Sequence, residues 1–127
     1  MYNTPPCFSI YVFFKVLSWI EKQGGLDVIE KRNEEKAKLL YDVLDSSDFY
    51  IPHAQKEARS LMNVTFNCPS VELNEKFVEE AKNEGLLNIK GHRAVGGLRA
   101  SIYNAMEVEG VEKLANFMKN FAERNRK

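Results

Sequence analysis

Gly91-His92-Arg93-Ala94-Val95-Gly96-Gly97-Leu98-Arg99 runs on into Ala100-Ser101-Ile102-Tyr103-Asn104, and the rest of the chain is best read outward from it. Short apolar runs flank the glycines, Leu86 to Ile89 before them and Leu98 to Tyr103 after. Two such runs around a glycine-rich bend predict paired strands, and hence a sheet. No Asp or Glu occurs from Gly85 through Met106, although the whole chain has 18 acidic and 18 basic residues. His92, Arg93 and Arg99 therefore form a local cationic patch on a neutral protein. Glycine lets backbone N–H groups come close to an anion, and the arginine fork matches a carboxylate or phosphate with two parallel hydrogen bonds. A small dianionic ligand is the expectation. The alternative is a basic surface turn, but a plain hairpin needs only one glycine-containing turn, and here Gly96-Gly97 and Arg99 are added. It is not a nucleotide P-loop, because no Gly-x-x-x-x-Gly-Lys-Ser/Thr pattern is present.

Working outward, Gly85 ends a helix expected from about Val71 to Asn83, with Leu73, Phe77, Val78 and Ala81 inward and Ser70 or Asn74 as cap. Before it, Leu61 to Cys68 alternates as a strand with Asn63, Thr65 and Asn67 on one face. Phe49-Tyr50-Ile51 reads as a short strand ended by Pro52, and Leu26 to about Leu44 as an amphipathic helix. Pro6 to Lys22 is apolar around nearly its whole circumference, so this helix needs cover on several sides; Gly24-Gly25 ends it. A patch left exposed there is expected to drive self-association. After Asn104 a last amphipathic helix buries Val111, Leu114, Ala115, Phe117, Met118 and Phe121, with a frayed basic end from Arg124 to Lys127. The expected fold is α+β: a small, mostly antiparallel sheet with helices packed on one face, in a single domain spanning 1–127.

Composition narrows the function. Zero net charge argues against broad nucleic-acid binding. The apolar run Phe8 to Ile20 is too short for a membrane span and is interrupted by Lys15. A disulfide between Cys7 and Cys68 is possible but not implied by their spacing, and a reducing, cytoplasmic setting is expected; with only His53 and His92, no metal site is expected. No nucleophile has a neighbouring base, and no lysine carries a local mark of Schiff-base chemistry. On the residues alone, this is an anion-binding module.

The run from Gly91 to Met106 resembles the C-terminal signature of the phosphoserine aminotransferases, which are class-V, fold-type I pyridoxal-phosphate enzymes. Met1 to Pro6 resembles the segment leading into their C-terminal domain. Asp48-Phe49-Tyr50, Arg59 to Val64 and Glu109-Gly110-Val111 also match, so the likeness covers essentially the whole chain. It implies a homodimer that exchanges an amino group between glutamate and 3-phosphohydroxypyruvate in serine biosynthesis. Carried over by position, Asn3 and Thr4 reach the cofactor phosphate of a neighbouring subunit, His92 and Arg93 hold the substrate phosphate, and Arg99 grips its α-carboxylate. Cys7 and Glu107 replace the usual Thr and Pro. The large cofactor domain, with its Schiff-base lysine, ring-stacking tryptophan and pyridine-nitrogen aspartate, has no counterpart here, and Trp19 is no substitute. The chain alone is thus expected to bind no pyridoxal phosphate and to be inactive. A stand-alone anion-binding or dimerising module is the alternative.

Overall fold

A computed structural model of the 127-residue chain describes residues 2–126. By its internal contacts the chain divides into two compact units, Met1–Arg32 and Asn33–Lys127. The first unit holds helix α1 (Cys7–Lys22) and the start of α2 (Leu26–Ser46). Backbone bonds from Gln23, Gly24 and Gly25 to the carbonyls of Trp19, Ile20 and Glu21 close the end of α1. No residue of α1 is buried.

The second unit carries the rest of α2, then β1 (Ile51–Pro52), a short 3-10 turn (Lys56–Ala58), β2 (Asn63–Asn67), α3 (Val71–Asn83), β3 (Leu98–Ser101) and α4 (Val108–Asn125). Its sheet is antiparallel in the order β1-β2-β3. Pro52 lies in an edge strand, where a residue without an N–H is tolerated. Alternation in β2 sends Val64 and Phe66 inward and leaves Asn63, Thr65 and Asn67 half-buried on the other face. Against the inner face lies an aromatic cluster, with Phe77 edge-on to Phe66, Phe117 and Phe121 at centroid distances of 5.7, 4.9 and 5.0 Å. Edge-to-face rings at these distances match the positive rim of one to the negative face of the next. The Tyr50 hydroxyl, buried in the same cluster, donates to the Met118 carbonyl at 2.7 Å. Ser70 caps α3, its Oγ accepting from Leu73 N–H at 3.3 Å. This is the α+β arrangement expected.

Three local expectations are corrected. The first strand is Ile51–Pro52, so Phe49 and Tyr50 precede it and Pro52 lies within it instead of ending it. Leu86 to Ile89 is not a strand: Asn88 takes φ 61° and breaks the extension, and pairing is confined to a single bridge between Lys90 and Leu98. The basic C-terminus is not frayed through its described part. Helix α4 continues to Asn125, and Arg124 and Arg126 form ion pairs with Glu80 at 2.8 Å and Asp48 at 2.7 Å. Lys127 lies outside the described residues, as does Met1. Among the described residues no helix is long and apolar enough to cross a membrane.

Candidate functional site

The cationic bend is a closed loop. Gly91 N–H donates to the Gly97 carbonyl at 2.8 Å, and Val95 and Gly96 N–H both donate to the His92 carbonyl, at 3.0 and 2.8 Å. Gly91 is required by this closure, since a Cβ there would stand 2.0 Å from the Gly96 oxygen. At Gly97, φ is 67° and a Cβ would meet Asn67 Oδ1 at 2.5 Å, so the loop base packs directly on β2. That Asn67 oxygen accepts from Asn74 Nδ2 at 3.2 Å, which ties the end of β2, on which the loop base packs, to α3.

His92 and Arg93 project into solvent from the loop. The ring of His92 has a defined orientation: Nδ1 accepts from Ala94 N–H at 3.2 Å, leaving Nε2 as the outward donor. Arg99 is two residues past the loop, on the polar face of β3, opposite Thr65. It is half-buried and its Nε is shielded from solvent without a hydrogen-bond partner. Among the described residues neither Arg93 nor Arg99 enters an ion pair. Arg59 differs from Arg99 at its terminal nitrogens, not at Nε, which is likewise shielded and without a partner. Its Nη1 bonds Asp45 Oδ2 at 2.8 Å, its Nη2 takes the other carboxylate oxygen, and its guanidinium lies 4.4 Å from the Tyr41 ring centroid. The hydrogen-bonded guanidinium holds the Asp45 carboxyl down to about 2.

The polar sheet face continues beyond Arg99. Asn63 Oδ1 accepts from Ser101 Oγ at 3.2 Å and from the Tyr103 hydroxyl at 3.4 Å. Structure thus brings His92, Arg93 and Arg99 onto one loop and the strand leaving it. Asn3 and Thr4 lie exposed in the first unit. A groove of about 960 Å³ between α3 and α4 is lined by Glu80, Glu84, Glu109, Glu112 and Glu123 against Lys113 and Arg124, so acids outnumber bases there and an anion is disfavoured. Cys68 is buried, which pushes its thiol up to about 12 and leaves it inert as a nucleophile.

Lys36 is the residue that the linear pattern does not announce. It is fully buried, and its Nζ donates to the carbonyls of Ile102, Tyr103 and Met106 at 3.2, 2.9 and 3.0 Å. One signal was available: it falls at helical spacing with Ala37, Leu40 and Leu44, on the face of α2 that enters the core.

A model of the family described as aminotransferase class-V matches residues 1–114. The phosphoserine aminotransferase of Desulfotalea psychrophila is 56% identical over 125 residues, covering 98% of this chain and 35% of that relative. Among solved structures, the phosphoserine aminotransferase of Bacillus circulans subsp. alkalophilus superimposes with a TM-score of 0.91 at 48% identity, over 98% of this chain and 35% of the other. The pyridoxal-phosphate-bound phosphoserine aminotransferase of Trichomonas vaginalis gives 0.85 at 42% identity, over 94% and 34%. The 127-residue chain spans about a third of the length of these relatives. Over the part it covers, its fold is that of the small α+β domain of these fold-type I aminotransferases. The chain belongs to the class-V aminotransferase family.

Proposed function

We propose that residues 1–127 are the C-terminal, substrate-clamping portion of a phosphoserine aminotransferase, working as a homodimer in the cytoplasm on 3-phosphohydroxypyruvate and glutamate. The observation that carries this reading is the pair of arginines without acidic partners, one on the loop and one half-buried on β3. A half-buried guanidinium with idle donors is costly until an anion completes its bonds. In this reading Arg99 takes the α-carboxylate through its fork. Arg93 and the Nε2–H of His92 take the phosphate, aided by a loop that glycine keeps compact. Phosphate and carboxylate are then fixed at two points, which orients the amino-bearing carbon between them.

Pyridoxal phosphate, when bound, supplies the electron sink for amino-group exchange. The chain's own residues fit a share of its site. Asn3 and Thr4 are exposed, and among the described residues neither side chain has an intramolecular hydrogen-bond partner. An amide and a hydroxyl are suitable donors for phosphate oxygens. Lys36 does not fit the role of cofactor-bearing lysine, because its ammonium hydrogens are given to backbone carbonyls. In this reading the chain on its own binds no cofactor and turns over no substrate. Turnover by the purified chain with cofactor and both substrates would overturn this.

The test is a graft in which this chain replaces the matching third of the Desulfotalea enzyme. The graft is expected to turn over. Arg99→Ala raises KM for glutamate and phosphoserine alike, since both carry the α-carboxylate, whereas Arg93→Ala raises KM mainly for phosphoserine. Equal KM values in both variants and the parent graft would refute the assignment.

A further inference from the structure

Among the described residues, Asn33 and Lys36 are the buried polar side chains, and both sit on α2. Both reach one short stretch that is far away in sequence. Lys36 Nζ donates to the carbonyls of Ile102 (3.2 Å), Tyr103 (2.9 Å) and Met106 (3.0 Å), and Asn33 Nδ2 donates to Asn104 Oδ1 at 2.8 Å. An ammonium has three hydrogens to give, and three carbonyls receive them. Burying that charge carries a desolvation cost that an apolar side chain of similar volume would avoid. Lysine at 36 is thus a poor way to fill the core and a good way to hold three carbonyls at one point.

The gathered stretch begins three residues after Arg99. Upstream, Arg99 is held by its N–H to the Ile89 carbonyl at 2.7 Å and by its pairing with Thr65. Downstream, β3 ends at Ser101, and Ile102 N–H makes a further bond to the Met62 carbonyl at 2.9 Å. From Ile102 the backbone turns toward α4; Met106 N–H closes the turn on the Tyr103 carbonyl at 2.9 Å, and Lys36 and Asn33 tie the turn to α2. The Arg99 side chain has no ion-pair partner among the described residues, so its aim is inherited from the strand that carries it. A fork that must meet a carboxylate with two parallel bonds tolerates little displacement of that strand.

We propose that Lys36 is a positioning residue: by tying down the exit of β3 it aims Arg99 at the α-carboxylate of the bound amino acid, with Asn33 as the weaker second tie. The inference rests on the proposed role of Arg99, and the test separates the two. The purified chain is titrated calorimetrically with phosphoserine and with phosphoethanolamine, which has the phosphate and amine but no carboxylate. Wild-type chain is expected to bind phosphoserine at least about tenfold more tightly, as one charge-assisted pair predicts. Lys36→Met is expected to shrink that preference to about twofold or less, with phosphoethanolamine affinity unchanged. Asn33→Ala is expected to shrink it by a smaller factor. A purely structural lysine would lower the melting temperature in Lys36→Met and leave the ligand preference intact, and that result overturns the inference alone. Should Lys36→Met fail to fold, an unchanged preference in Asn33→Ala does the same. A wild-type chain with no preference, or no binding of either ligand, overturns the reading of Arg99 and the inference with it.

Discussion

Helices α1 and α4 are of similar length, 16 and 18 residues, and both are rich in large apolar side chains, yet they end in opposite environments. Helix α4 buries Val111, Leu114, Ala115, Phe117, Met118, Phe121 and Ala122 on one stripe. In α1 nothing is buried, and Phe8, Phe13 and Phe14 are 79%, 63% and 60% exposed. The difference lies in the arrangement of apolar residues around the axis. A helix with one apolar stripe is satisfied by one neighbour, whereas a helix apolar on all sides needs several. Helix α4 is complete within its unit; α1 is written for more surface than its unit supplies. The homodimer proposed above, with the remainder of an aminotransferase, would provide such cover.

The comparison is broken most severely at the core side. Phe121→Ala removes a ring that packs on Phe49, Phe77 and Phe117 and is expected to cost about 3–5 kcal/mol in denaturant unfolding. A cost under about 1 kcal/mol would mean that α4 is not the centre of the core. Gly91→Ala, in the loop, forces a Cβ against the Gly96 carbonyl and is expected to cost about 1–3 kcal/mol and abolish phosphoserine binding. Retained affinity would show that loop closure is not needed. Asp45→Asn is expected to cost about 1 kcal/mol or less at neutral pH, because solvent screens the pair. The sign follows from the depressed carboxyl: its stabilisation is full above the unfolded value near 3.9 and lost as pH falls toward about 2. Wild type and Asp45→Asn should therefore converge in acid, and a gap that persists below pH 2 contradicts the assignment. Smallest in stability is Phe13→Glu with Leu17→Lys in α1, expected within about 0.5 kcal/mol of wild type. In sedimentation the same double variant should shift self-association toward monomer, and an unchanged distribution would remove α1 from the interface.

Much of this was legible in the chain because its signals are local. Alternation in β2, the Ser70 cap and the inward stripe of α4 each depend on residues a few positions apart, and each appears as read. The loop was legible as chemistry, since glycines and cations adjacent in sequence stay adjacent in space. Failures arose where distant partners decide the outcome. Leu86 to Ile89 has the apolar content of a strand, but Asn88 turns it aside and one bridge remains. Lys36 reads as an ordinary helix lysine until residues 66 to 70 positions away close around it. The C-terminal arginines look frayed until Glu80 and Asp48 arrive from elsewhere in the chain.

The central claim is that the glycine loop and β3 together grasp a phosphorylated amino acid. It is tested most directly by phosphorus NMR titration of the purified chain with phosphoserine, beside the Arg93→Ala/Arg99→Ala double variant. Wild type is expected to shift and saturate the phosphate resonance, and the double variant to leave it at its free position. Equal saturation in both proteins, or no shift in either, would contradict the account.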